Sequence, residues 1–569
     1  MRGGKRTKKI LIGILVFLVV VAISFQVFIN RWMRPVIYKR LQTLIVSGSD
    51  SLYNFQLENL DVSFWSAAVT VTNLHIKVDS ARYAQREKAG NLPAMTVEIN
   101  LSKGSVSDIR LLQLVMNKKI SIGSILSKNA NITVSRHFRK SKQELGSGMN
   151  EPLWKLLQPD IRAIKIDRIL LNDINLNYSN ADSATAFHWK FEHCSATIDD
   201  TRVDSASTAD TSRILFTKDI AIIFNNIKLQ TPDALYSIES KQLHYSSQKA
   251  RLVADDFKLH TVLSRQETYK KLGYDKDLFT LNLPKFTLEN FQIPSWINTN
   301  VLSIGAVELS KPSIHVYKDR TQKADTRSKY GKYPHQLLAN APFNIEVGKI
   351  KVNDGLVTYI EKSEKTGKEG KLVFQQLDGT IKNITNDGDQ VKKNPRCIAD
   401  IKGIFMDRSP LHAVFTFYLN KTKDGTFETV ADIERISATE LNPITTAMAQ
   451  TAVKSFDIKK LHYTIRGNEK AGVGNLNLEY DNLEVELQKQ DEKDDKMKAR
   501  KFLSFVVNKL VVYPANPMKD KERKAVGIRE ERVRNKSFFN LVWKTLFASV
   551  KDITIRVKAL KKISAKKTK

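Results

Sequence analysis

Along most of the chain, apolar side chains recur at every second position. Leu60, Val62 and Phe64 alternate with polar residues, and Val69, Val71, Leu74 and Ile76 follow. Similar runs, separated by Asn, Asp, Gly and Ser, continue to about Leu487. A period of two puts the apolar set on one face of a strand, so the pattern predicts a long series of half-buried strands joined by polar turns. Helical periods are few. Pro35 suits a first helical position, Ile37, Leu41, Leu44 and Ile45 recur at helical spacing, and Gly48 can end the segment. Pro152–Leu157 and Leu441–Val453 are further candidates, the second with Ile444 and Met448 on one face. Near the end, Phe538, Phe539, Leu541, Val542, Trp543, Leu546, Phe547 and Val550 form a wide apolar helix face. Asn540, Lys544, Thr545, Ser549 and Lys551 mark its other side. Such a helix either lies in a membrane interface or caps the end of a sheet, and the pattern leaves both open.

The strand pattern repeats. IGSILSKNANITV (Ile122–Val134) aligns without a gap with IGAVELSKPSIHV (Ile304–Val316), 182 residues on. IDRILLNDINLNY (Ile166–Tyr178) aligns with VGKIKVNDGLVTY (Val347–Tyr359), 181 residues on. Each unit reads as a strand, a polar turn and a second strand. The turns are Lys128-Asn129, Asn172-Asp173, Ser310-Lys311-Pro312 and Asn353-Asp354-Gly355, chemistry suited to tight hairpins. One apolar step in each unit is three instead of two: Ile122 to Ile125, Ile166 to Ile169, Ile304 to Val307 and Val347 to Ile350. Gly123, Gly305 and Gly348 sit inside three of those steps and Asp167 in the fourth, which predicts β-bulges with glycine in a left-handed conformation. Bulged strands curl a sheet. The expected architecture is therefore mainly β: an elongated, curled, repetitive antiparallel sheet with a few short helices.

One segment breaks the alternation outright. Ile10–Ile29, ILIGILVFLVVVAISFQVFI, has no charge between Lys9 and Arg31 and matches the length that crosses a bilayer core. A cleaved signal peptide is the competing reading, with Ala22-Ile23-Ser24 as a weak cleavage site, but apolar residues continue past it. An uncleaved N-terminal anchor with the body outside is expected. Basic residues flank the span on both sides, so charge bias does not fix its orientation.

Composition narrows the function. The chain has 569 residues, 42% hydrophobic and 27% charged, which excludes a mostly disordered protein. Its net charge of +31 suits anionic lipid headgroups or a lysine-rich solvated surface. No nucleic-acid-binding module accompanies that charge, so nucleic acid is not an expected partner. Cys194 and Cys397 are too few and too far apart for a disulfide scaffold or a zinc ribbon; their pairing in space stays open. His188 and His193 flank Cys194, but their separation puts them on opposite faces of an ideal strand. GKEGK at Gly367 lacks phosphate-loop spacing, and Asp199-Asp200 and Asp494-Asp495 read as solvated loop pairs. No catalytic residue, metal ligand or cofactor site is expected, and no enzyme.

The repeat units with phrases such as KIDRILLNDINLNY and EVGKIKVNDGLVTY resemble the AsmA-like group of bacterial envelope proteins. So do LNPITTAMAQTAVKSFDIKKLHYTIRG from Leu441, GVGNLNLEYDNLEVEL (Gly472–Leu487), NKLVVYPANP (Asn508–Pro517) and SFFNLVWKTLFASVKDI (Ser537–Ile553). Charged insertions at Lys318–Tyr333 and Lys489–Lys501 depart from that texture. The resemblance implies a single-pass inner-membrane anchor, a periplasmic body, a taco-like β groove and a role in moving phospholipid to the outer membrane. Some members act in outer-membrane assembly instead, with outer-membrane or periplasmic protein partners.

These readings combine into one expected layout: a basic tail (1–9), transmembrane anchor (10–30), juxtamembrane helix (31–50), first β section (51–135) and linker with a short helix (136–160). A repetitive β groove (161–515), a charged linker (516–536) and an amphipathic helix with basic tail (537–569) follow. Ile166, Ile169, Leu171, Ile174, Leu176, Tyr178, Val347, Ile350 and Val352 are the candidate lipid-groove residues. Phe538, Phe539, Val542, Trp543, Leu546 and Phe547 are the candidate membrane contacts. On the order of 25 strands stacked about 4.8 Å apart would span on the order of 120 Å.

Overall fold

Alternating segments form strands because their apolar residues can all reach one face while backbone groups pair sideways. The computed structural model describes residue 31 and residues 34–556, apart from 64–65, 94, 111–112, 114–115, 137–160, 181–186, 208–209, 211–212, 214–215, 292, 294–300, 450, 491–496, 500–503, 505–507, 509–510 and 520. The chain divides into two units, Met1–Pro232 with Ser240–Leu252, and Asp233–Glu239 with Val253–Lys569.

In the first unit, α1 (Arg34–Gly48) precedes β1 (Tyr53–Ser63), β2 (Ala68–Val78), α2 (Ser80–Lys88), β3 (Met95–Ser107), β4 (Lys119–Arg136), β5 (Ala163–Asn180), β6 (Phe187–Val203) and β7 (Asp219–Gln230). β1 to β4 pair antiparallel in sequence, β4 and β5 run parallel, and β5 to β7 are antiparallel again. α1 lies on β1, with Tyr38 and Phe55 ring centroids 5.6 Å apart. β8 (Tyr236–Ser246) divides between the units in sequence.

The second unit holds most of β9 (Arg251–Thr261), then α3 (Arg265–Leu272), β10 (Leu278–Glu289), β11 (Val301–Ser310), β12 (Ser313–Asp319), α4 (Pro334–Ala339), β13 (Asn344–Lys362), β14 (Glu369–Thr385) and α5 (Gly388–Lys393). After them come β15 (Arg396–Phe405), β16 (Ser409–Tyr418), β17 (Phe427–Ile436), α6 (Ala438–Ala449), β18 (Thr451–Gly467), β19 (Ala471–Gln490), β20 (Met497–Ala499), β21 (Lys524–Glu531) and α7 (Phe538–Thr554). β11 and β12 both pair antiparallel with β10 and parallel with β13. From β13 to β19 each strand pairs antiparallel with the next, and β21 joins β19.

Four expectations are corrected here. First, the sheet is mixed rather than antiparallel. A unit of one aligned pair lies in parallel beside a unit of the other, Ile122 beside Ile166 and Ile304 beside Val347. Parallel neighbours need long crossovers, and the connection between β12 and β13 is one, carrying α4.

Second, the repeat units are not hairpins. β4, β5 and β13 run straight through their polar positions, and β11 and β12 keep one register with β10 across theirs. The same residue of each unit, Asn129, Asp173, Lys311 and Asp354, takes a φ of 56°, 55°, 50° and 52°. Asn and Asp tolerate that conformation in a strand as readily as in a turn, which is why the composition read as hairpins.

Third, Gly123, Gly305 and Gly348 are not the left-handed residues; their φ values are ordinary. Glycine is needed there for close approach. A Cβ on Gly123 would come 2.5 Å from that of Asp108, and one on Gly348 would come 2.6 Å from the Gly305 carbonyl oxygen.

Fourth, the single-pass anchor is not part of the described fold. Among the described residues no helix is long and apolar enough to cross a membrane. α7, at 17 residues, contains Lys544, Lys551 and Asp552 and falls short of the roughly 20 apolar residues a span needs. Ile10–Ile29 and Pro152–Leu157 lie outside the described residues. The single-pass topology and the inner-membrane location that followed from it are withdrawn.

Candidate functional site

The first unit presents one apolar and one polar sheet face. Val62, Val69, Val106, Ile125, Ile169, Ile198 and Ile220 stand opposite one another in succession from β1 to β7. Phe55, Ile76, Ile99, Ile132, Leu176 and Phe191 make a second such row. Between the rows, strands carry left-handed residues: Asn73, Asn129, Asp173, His193 and Asn226. Each shifts the apolar pattern by one position, so both rows serve one face. Accordingly, Leu171 and Ala196 from one side of the crease pack with Ile132 and Phe191 from the other around buried Ala130, Ile174 and Cys194. The opposite face carries Gln56, His75, Asn100, Asn131 and Asn175 in register. There Asn175 Nδ2 donates to Asn131 Oδ1 at 3.0 Å and His75 Nδ1 lies 2.8 Å from Asn100 Oδ1.

The groove candidates of β5 fall on this framework. Ile166 and Ile169 stand beside Ile122 and Ile125, and Leu176 and Tyr178 beside Ile132 and Val134. Ile174 is buried; Ile166, Ile169, Leu171, Leu176 and Tyr178 are half-buried. Asn175 and Asn177 pair with Asn131 and Thr133.

In the second unit one row crosses ten strands: Phe286, Leu309, Val352, Gly379, Ile401, Ala413, Ala431, Tyr463, Leu476 and Ala525. Val347, Ile350 and Val352 belong to β13 beside Ile304, Val307 and Leu309. Val347 is buried, the other two half-buried. Burial deepens along the row to Tyr463 at 1%, Leu476 at 2% and Ala525 at 1% exposed. There α6 and α7 cover the sheet, and Tyr333, Phe405, Phe427, Phe456, Tyr480 and Phe538 join them in one core.

α7 docks with an unexpected face. Thr545 and Ser549, which the pattern places outward, are fully buried. Their hydroxyls are satisfied by donating to the Leu541 and Thr545 carbonyls at 2.9 Å. Gly472 and Gly474 of β19 let the helix approach: a Cβ on Gly474 would come 2.8 Å from Thr545 Cγ2. Of the candidate membrane contacts, Phe538 belongs to the core, its ring 4.6 Å from that of Phe427. Val542 and Leu546 pack part-buried against that core. Phe539, Trp543 and Phe547 stay 62%, 45% and 54% exposed.

A charged cluster that periodicity does not reveal fastens the β12–β13 connection. Buried Lys318 lies 3.4 Å from both Asp275 and Asp277. Arg532, almost wholly buried, pairs with Glu469, donates to the Lys329 carbonyl at 2.6 Å and sits 4.0 Å over the Tyr333 ring. Burial, and then the Arg320 and Lys318 cations, push the Lys536 amine below its ordinary value. The only sequence signal was the charge density of Lys318–Tyr333, which reads equally as solvated loop.

Chemistry is sparse. Cys194 and Cys397 are free and buried, and burial pushes both thiols up to about 11, so neither is a ready nucleophile. Among the described residues no group of three His, Cys, Asp or Glu side chains could hold a metal. No family model matches the chain, and no curated protein does.

Proposed function

We propose that the chain is a non-catalytic structural or assembly factor of the bacterial envelope, acting as a β scaffold. One observation carries this reading: at its β18–β21 end the apolar face of the second unit is closed by the protein's own groups. Tyr463, Leu476, Leu478 and Tyr480 lie under α6 and α7 at 2% exposure or less, leaving an ordinary core there. The resemblance to AsmA-like proteins supplies the setting, outer-membrane biogenesis.

A second reading, phospholipid carriage, has its own support. The Val62–Ile220 row and the candidates Ile166, Ile169, Leu171, Leu176 and Tyr178 in the first unit are only half-buried, and a broad apolar face of that kind suits acyl chains. Lipid analysis of the full chain purified in gentle detergent separates the two. The scaffold reading expects no phospholipid held in stoichiometric amount after gel filtration. A fixed lipid complement that Leu176→Asp removes, with the protein still folded, would transfer the proposal to carriage.

A further inference from the structure

α7 buries Phe538, Leu541 and Ile553 as a surface helix does, but it also buries small polar residues and leaves three aromatics outside. Its smallest polar side chains, Thr545 and Ser549, are fully buried against Gly472 and Gly474. Its large aromatics, Phe539, Trp543 and Phe547, are spaced by four residues, so they form one stripe along the side turned to solvent. The docking is close and specific, so the stripe is not a face waiting to fold back onto the sheet. Singly exposed apolar residues need no explanation; an aligned row of three aromatics does.

The charge around the row indicates what covers it. Lys551 Nζ lies 4.5 Å over the Phe547 ring. Lys544, beside Trp543, reaches Glu530 at 2.8 Å. Arg556 is taken up over the Tyr513 ring, but Lys558, Lys561, Lys562, Lys566, Lys567 and Lys569 come after it in sequence, and residues 553–569 contain no Asp or Glu. Aromatic side chains seat at the headgroup level of a bilayer, and clustered lysines add attraction to acidic headgroups. A protein partner would use the aromatics but has no requirement for a run of six lysines without an acid.

From this we infer that the solvent face of α7 is a peripheral docking surface for an anionic lipid bilayer. Phe539, Trp543 and Phe547 enter the interface, Lys551 contacts the headgroups, and the lysine-rich sequence that follows adds net positive charge. The contact lies outside the apolar sheet faces and holds whether the body is a scaffold or a carrier.

The test labels Phe547→Cys in the full chain with an environment-sensitive fluorophore; Cys194 and Cys397, 3% and 7% exposed, are shielded from the reagent. Lys402→Cys is the control, exposed and next in β15 to Ile401 of the apolar row, hence on the opposite sheet face. Vesicles of phosphatidylcholine, with or without phosphatidylglycerol, carry a lipid quencher. The expected result is quenching at position 547 and not at 402, with half-saturation at about tenfold less lipid when phosphatidylglycerol is present. Equal quenching at both positions, or the same lipid requirement in both vesicles, overturns the inference. So does a finding that Phe539→Ser with Trp543→Ser separates a dimer into monomers, since the stripe would then belong to a second copy.

Discussion

At the residue scale, the fold depends on side chains that accept a left-handed backbone inside a strand. Asp173 does so at φ 55°, beside Asn129 at φ 56° on the parallel neighbour. Asp173→Val should lower the unfolding free energy by about 1–2 kcal/mol, whereas Asp173→Gly should be close to wild type. Urea unfolding compares them, and a valine variant as stable as the glycine one would remove the crease from the account. His335 gives a pH-dependent counterpart. It is 2% exposed, neither ring nitrogen has a hydrogen-bond partner, and burial pushes the imidazole down from 6.5 to about 4. The folded state therefore resists a proton that the unfolded chain accepts. Its stability contribution is complete above about pH 6.5 and is lost as pH falls toward about 4, by at most about 3 kcal/mol. His335→Phe, placed between Phe417 and Tyr333, should be less sensitive to pH across that window; parallel stability curves for wild type and variant would contradict this. The polar position of each repeat was legible in the sequence, because Asn, Asp and Lys-Pro interrupt apolar alternation. Its geometry was not, since a hairpin turn and a mid-strand kink ask for the same residues.

At the element scale, alternation located the strands well and partner choice poorly. The repeats marked Ile122, Ile166, Ile304 and Val347 as equivalent, but pairing Ile122 with Ile166 in parallel depends on a crossover that periodicity does not describe. Short polar helices were also hidden. α3 has no apolar stripe, although Ser264 and Glu267 form a capping box that could have announced it. α7 was legible as a helix but not in its orientation, which Gly472 and Gly474 decide from a distant strand. That orientation has a direct consequence. Thr545→Leu should lower stability by about 2 kcal/mol, because the larger side chain meets β19 where there is no room. Trp543→Ser, on the exposed side, should change it by less than about 0.5 kcal/mol. Thermal unfolding checks the pair, and the reverse ranking would mean that the aromatic stripe faces the sheet.

At the scale of the whole molecule, both units build an amphipathic mixed sheet around parallel neighbours, β4 with β5 in the first and β13 with β11 and β12 in the second, and they differ in how far helices cover the apolar face. In the second unit α6 and α7 close it at the β18–β21 end over Tyr463, Leu476 and Tyr480, while Phe286, Leu309, Val352 and Ile401 stay half-buried. In the first the rows through Ile169 and Leu176 remain half-buried. A scaffold needs only the stability that such faces provide, whereas a carrier must exchange acyl chains along them. Phospholipid exchange between labelled donor and unlabelled acceptor vesicles, measured with the full chain, tests this distinction most directly. The scaffold account predicts exchange at the protein-free rate at every protein concentration. Exchange that rises in proportion to protein and disappears in a folded Leu176→Asp variant would contradict it.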